Sequence, residues 1–192
     1  MFENIPKIVR EEAALKRVLF LCTGNYYRSR FAELLFNWMA RQRGLAWIAD
    51  SSGLDPSPGN VGPISRHTVY GLARVGVLVD EPWRYPRKAA ESDLAAADLI
   101  IAVKEAEHRA MVERLFPRWL VRVEFWHVHD LDCAEPNETI AELKRQVLAL
   151  VDRLARAEGA LPTAIGETSP SPAAARSRSA GTAGHAVIPG PL

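Results

Sequence analysis

The sequence predicts a single α/β domain, a central parallel sheet of about four strands with helices on both faces. Three observations carry this. Short continuous apolar runs alternate along the chain with longer stretches whose apolar residues recur at helical spacing. Strands separated by helices imply crossovers between parallel neighbours, with helices covering the sheet. A length of 192 residues, 48% hydrophobic and 24% charged, suits one good core.

The elements follow in order. Residues 11–16 read as a short helix leading into a first strand at 17–22 (RVLFLC). Residues 29–44 carry Phe31, Leu34, Leu35, Trp38 and Met39 at helical spacing before a stop at Gly44. A second strand is expected over 45–51, a second helix over 65–76, and the end of a short third helix at 94–97. The next apolar strand is 98–103 (DLIIAV), followed by a helix over 104–116 that Pro117 stops. Residues 121–128 read as a further strand, and 136–157 as a long amphipathic helix with Asn137 as its N-cap. Trp38, Trp47, Trp119 and Trp126 read as core or edge packing. From 161 onward the composition turns to Ala, Ser, Pro, Gly, Thr and Arg, which cannot bury enough surface to offset its ordering entropy. The expected organisation is an extension over 1–16, a folded domain over 17–158 and a disordered tail over 159–192.

Charge and composition exclude several classes of function. A formal net charge of +1 gives no bulk attraction for nucleic acid or an anionic membrane. No apolar run is long enough to span a bilayer, and residues 1–16 lack the apolar stretch of a signal peptide, so the expected location is the cytoplasm. Two cysteines, Cys22 and Cys133, are too few for a disulfide framework or a four-thiolate zinc site. A reducing compartment keeps both as thiols.

One segment carries chemistry: Cys22-Thr23-Gly24-Asn25-Tyr26-Tyr27-Arg28-Ser29. In a parallel sheet, ligands bind beyond the carboxyl ends of strands, where loop amides and the next helix N-terminus converge on an anion. Cys22 ends the first strand, and five residues separate it from Arg28, enough to wrap the backbone around a tetrahedral oxyanion. Gly24 is expected to take the unusual dihedrals of the wrap. Arg28 offers a planar, permanently charged fork for two phosphate oxygens. Inward amides, a helix N-terminus and a guanidinium favour Cys22 as thiolate. Ser29 can donate to its sulfur, and Asn25 can tie the loop to its surroundings.

This Cys-x-Gly-Asn-x-x-Arg-Ser pattern near the N-terminus resembles the low-molecular-weight protein tyrosine phosphatases, whose fold also serves certain arsenate reductases. The resemblance runs from Arg17 to Ala157. Ser51-Ser52-Gly53 looks like the family's Ser-Ala-Gly after the second strand. Asn60-Val61-Gly62 sits where similar residues line the substrate entrance, and Asp93 with Asp98-Leu99-Ile100-Ile101 looks like the approach to the next core strand. The resemblance implies a metal-independent phosphomonoester hydrolase without cofactor. Its substrate would be a phosphorylated protein or a small aryl phosphate, processed through a phosphocysteine on Cys22. Thr23, Gly24, Asn25, Tyr26, Tyr27 and Ser29 would then line the phosphoryl site, with Ser51 and Asn60 in support. The family's general acid is an aspartate in an Asp-Pro motif after a late strand, which corresponds to Asp130, with Leu131 in place of the proline and Asp132 as an alternative. A carboxyl beside a bound dianion protonates more readily.

The chain departs from the family in places. Tyr27 stands where a second cysteine is usual, Arg30 where proline follows the serine, and Gly59 where an aromatic residue flanks the substrate ring. The tyrosine usual after Asp-Pro is also absent. Tyr26 and Tyr27 can shape the pocket wall, or Tyr27 can pack under the loop. Without the second thiol, oxidised Cys22 lacks its nearby disulfide partner. Three rival readings remain open at this level. Arsenate reduction would use Cys22 with Cys133 or an external thiol. A metal site could gather His127, His129, Asp130, Asp132 and Cys133. A non-catalytic phosphate-binding module would need no acid.

Overall fold

The computed structural model describes residues 14–57, 59–78, 83–128 and 136–159. Among these residues, four strands and five α-helices follow in the order β1 (Lys16–Cys22), α1 (Arg28–Gln42), β2 (Trp47–Gly53), α2 (Arg66–Arg74), α3 (Glu91–Ala95), β3 (Leu99–Ala102), α4 (Glu105–Leu115), β4 (Val123–Phe125) and α5 (Pro136–Ala157). A 3-10 helix, Pro117–Arg122, joins α4 to β4. The strands form one sheet in the order β2-β1-β3-β4, and every pair is parallel. This is the α/β architecture read from the sequence.

β1 is central, which explains its unbroken apolar run. Successive side chains of a strand face opposite sides, and β1 divides accordingly. Val18, Phe20 and Cys22 pack into one core with Phe31 and Phe36 of α1 and Leu143, Val147 and Val151 of α5. Leu19 and Leu21 enter a second core with Leu94, Ile100, Val112 and Trp119. No helix among the described residues is long and apolar enough to cross a membrane.

Several boundaries differ from the sequence reading. Ala14 and Leu15 are not helical, and Lys16 already pairs with Trp47, its amide donating to the Ala46 carbonyl at 3.0 Å. The second strand begins at Trp47 because Leu45 still belongs to the end of α1. Gly44 turns at φ 62°, and the Leu45 amide returns to the Ala40 carbonyl at 3.0 Å. The strand expected over 121–128 is regular only at Val123–Phe125. Pro117 opens the 3-10 helix, Trp119 seats it on the core, and Val121 is left 92% exposed. Beyond β4 the Trp126 and Val128 amides still donate to the Ala102 and Val103 carbonyls, at 2.8 and 3.0 Å. Asn137 is not the cap of α5 but lies inside its first turn, accepting from Arg74 Nη1 at 2.5 Å. Pro136 already belongs to the helix, where its fixed φ is tolerated. The expected extension up to residue 13 and the tail from 160 fall outside the described residues.

Candidate active site

The loop from Cys22 to Ser29 leaves β1 and enters α1 at Arg28, and its carbonyls account for its shape. The Cys22 carbonyl accepts from Leu54 N–H at 2.8 Å and that of Thr23 from Asp55 N–H at 2.9 Å. The Tyr26 carbonyl accepts from Ser65 N–H at 3.0 Å, and the Tyr27 carbonyl from the Thr68 hydroxyl at 3.1 Å. With four of its carbonyls committed to flanking segments, the loop has a fixed path around the Cys22 sulfur. The left-handed residue is Asn25, at φ 50°, and not Gly24 as expected. Asparagine tolerates that region, whereas Gly24 has ordinary room for a side chain, its nearest non-neighbouring atoms lying 3.7 Å or more away. The glycine that close packing demands is Gly53 at the end of β2. A Cβ there would lie 2.7 Å from Pro56 Cγ and 2.9 Å from the Thr23 carbonyl oxygen.

Two donors converge on the Cys22 sulfur. Ser29 Oγ lies at 2.9 Å and Asn25 N at 3.2 Å. Asn25 Nδ2 donates to Ser29 Oγ at 3.1 Å, which leaves the serine proton for the sulfur. The same amide nitrogen donates to Ser51 Oγ at 2.8 Å, and Ser51 donates onward to Glu33 Oε2 at 2.5 Å. The amide orientation is fixed because Asn25 Oδ1 faces two donors, Arg84 Nη1 at 2.9 Å and the Arg87 backbone at 3.0 Å. Glu33 takes Arg84 Nη2 at 2.8 Å and Arg30 Nη1 at 3.2 Å, so Arg30, at the family's proline position, is half of a buried ion pair. Burial raises the Glu33 carboxyl above the ordinary glutamate value despite Arg84 and Arg30 beside it. Burial likewise lowers the Arg30 guanidinium.

Arg28 is buried, with Nη2 at 3.5 Å from Glu107 Oε2 at the start of α4. The Thr23 hydroxyl donates to the other oxygen of Glu107 and lies 3.3 Å from His108 Nε2. Burial, then the nearby Arg28 charge, lowers His108 to about 3, so the ring is neutral at physiological pH. Burial opposes the charge on Glu107, but the Thr23 hydroxyl and the Arg28 guanidinium outweigh it and hold its carboxyl below the usual range.

Cys22 and Arg28 line a cavity of about 850 Å³ together with Thr23, Gly24, Tyr26 and Tyr27. Its outer wall is largely aromatic and apolar, with Tyr70, Trp83, Val61 and His67, but also holds Asp55 and Asn60. Tyr27 is buried with its ring 5.8 Å from that of His67, and the Tyr26 hydroxyl donates to the Val61 carbonyl at 2.6 Å. Of the residues singled out in sequence, Cys22 to Ser29 and Asn60 line the cavity or lie against it. Ser51 lies beneath, bonded to Asn25. Asp130, Asp132, His129 and Cys133 lie outside the described residues. His127 is exposed, 3.4 Å from Glu105, and no group of three metal-ligating side chains occurs among the described residues.

Sequence reasoning did not single out Glu33, Arg84, Glu107, His108, Asp55 or Trp83. Glu33 alone left a local trace, an acidic residue one turn after Ser29 on the same helix face.

The model of the low molecular weight phosphotyrosine protein phosphatase family matches residues 17–161. A protein-arginine-phosphatase of Bacillus subtilis (strain 168) is 29% identical over 106 residues, which are 55% of this chain and 67% of that protein. The structure of a low molecular weight protein tyrosine phosphatase from T. tengcongensis matches with a TM-score of 0.62 at 27% identity, covering 72% of this chain and 99% of that one. The YwlE arginine phosphatase of Geobacillus stearothermophilus, 21% identical, shares the fold with a TM-score of 0.57 over 75% of this chain and 93% of that one.

Proposed function

Because the chain belongs to the low molecular weight phosphotyrosine protein phosphatase family and is a cysteine-dependent phosphatase, we propose that Cys22 is its nucleophile, Arg28 its phosphoryl clamp and Asp130 its general acid. The observation that carries this is the convergence of the Ser29 hydroxyl and the Asn25 amide on the Cys22 sulfur, at the wall of the cavity that Arg28 also lines. Both contacts hold the sulfur in place at the wall of the cavity.

The sulfur attacks phosphorus, the bond to the leaving atom breaks, and the acid gives that atom its proton. Water then gives a proton to the acid's carboxylate and attacks the phosphocysteine; the S–P bond breaks, inorganic phosphate leaves, and the thiolate and the protonated acid are restored. The loop amides and Arg28 hold the equatorial oxygens throughout. For Asp130 the support is topological. β4 runs parallel to β1, so the chain leaves it toward the sheet edge at which β1 ends in Cys22, and Val128 is two positions before Asp130.

The proposed substrate is a phosphorylated protein side chain with a flat leaving group, phosphotyrosine first, because the outer wall carries Tyr70, Trp83 and Val61. A second reading is phosphoarginine. Asp55 in the same wall can face a guanidinium, and a relative is a protein-arginine-phosphatase. The family and the similar proteins above are phosphatases, which does not favour arsenate reduction. The cytosol would keep Cys22 reduced.

The test is hydrolysis of an aryl phosphate without added metal, under reducing conditions, beside release of phosphate from a phosphoarginine-containing protein. Turnover is expected in the wild type, with Cys22→Ser at background. Equal rates in that variant, or no turnover of either substrate by the wild type, would sink the proposal.

A further inference from the structure

Behind the phosphoryl site, α4 supplies a chain of hydrogen bonds that ends on the loop. The Lys104 backbone N–H donates to His108 Nδ1 at 3.1 Å, so in the neutral ring the proton sits on Nε2. Nε2–H therefore donates to Thr23 Oγ1, 3.3 Å away, and the threonine proton goes to Glu107. The His108 ring therefore donates to Thr23 and does not act as its base. The remaining oxygen of Glu107 faces Arg28 Nη2 at 3.5 Å and Lys104 Nζ at 3.6 Å. Neither Glu107 nor His108 lines the cavity.

We infer that Glu107 and His108 are positioning residues for phosphoryl transfer, together fixing the Thr23 hydroxyl and the Nη2 edge of Arg28 from outside the cavity. The inference rests on the phosphatase reading above. The groups that face Glu107 are all donors, Thr23 on one oxygen and Arg28 and Lys104 on the other, so the site needs two acceptor oxygens on one side chain. Glutamine offers one oxygen and turns an N–H₂ group toward the other donor. Aspartate lacks a methylene of reach. His108 is completely buried, and its ring is the link between the α4 backbone and the loop.

The consequence falls on the transition state, in which three equatorial oxygens must meet fixed donors. Glu107→Gln is expected to lower kcat for an aryl phosphate by about tenfold, the worth of one charge-assisted hydrogen bond, with KM within about twofold. Vanadate, which takes the five-coordinate shape of the transition state, should bind about tenfold more weakly, whereas tetrahedral inorganic phosphate should change by less than about twofold. His108→Leu should move the same ratio in the same direction. Because His108 reaches the site only through the Thr23 hydroxyl that Glu107 also holds, the double variant should lose no more than Glu107→Gln alone.

Losses that multiply in the double variant would overturn the inference, as would an unchanged vanadate-to-phosphate ratio in Glu107→Gln. Loss of both ligands in parallel with a lowered Tm would do the same, since it would mark a merely structural role. The binding ratio needs no turnover. An inactive wild type would therefore defeat the proposed function while the ratio still decides this point.

Discussion

Asn25 does three things with one side chain and one amide. Its backbone N–H points at the Cys22 sulfur, its Nδ2 holds Ser29 and Ser51, and its Oδ1 is held by Arg84 and by the Arg87 backbone. All of this depends on a left-handed φ that most residues would resist. The Arg84 guanidinium joins Asn25 to Glu33 and also reaches the Ser51 carbonyl at 2.9 Å. Arg84→Met would keep much of the bulk but remove every donor. The expected result is a fall in kcat of about tenfold, as the Asn25–Ser29–Cys22 line loosens, with a smaller change in KM. An unchanged kcat in steady-state assays would show that Arg87 and Arg30 hold the network without it.

At the scale of elements, the site is assembled where strand ends meet helix starts. The loop leaves β1 for α1, Gly53 at the end of β2 admits it closely, and α4 begins behind it. The segment after β2 is tied in by Asp93 of α3. Its carboxylate accepts from Arg87 Nη1 at 2.8 Å, Ser52 Oγ at 3.1 Å and the Ala90 amide at 3.0 Å. Partial burial opposes its charge, but these donors outweigh burial and hold the carboxyl below its ordinary 3.8. A depressed carboxyl contributes stability that is present above the unfolded value and lost as pH falls through the folded one. Asp93→Asn should therefore cost about 1–2 kcal/mol in denaturant unfolding at pH 7. The gap between variant and wild type should narrow below pH 3.8, the ordinary aspartate value. An equal gap at pH 3 and pH 7 would show that the carboxylate's charge is not what stabilises this corner.

For the whole molecule, two cores sandwich one sheet, and the larger is closed by α5. Leu143 on that helix is completely buried beside Phe31, Phe36 and Val147. Leu143→Ala should cost about 2–5 kcal/mol, a transfer loss plus an unfilled cavity, measured by denaturant unfolding. A loss below about 1 kcal/mol would mean that α5 is not integral to the core. How far the molecule could be read in advance follows the range of the interactions. β1 and β3 announced themselves because a strand buried on both faces must be apolar throughout. β4 was overextended, because the alternation at Val121 to Val123 also suits a 3-10 turn that exposes Val121 and seats Trp119. The α/β order and the segment from Cys22 to Ser29 stand out in the chain alone, since apolar runs alternate with helical ones and Cys22, Arg28 and Ser29 are near neighbours. What holds that segment is set by packing between elements far apart in the chain. Glu33, Arg84, Glu107 and His108 come from α1, the segment before α3, and α4, and meet the loop through single side chains with no periodicity to betray them. A lone charged residue reads as a solvated surface group until the fold shows which buried donor it faces.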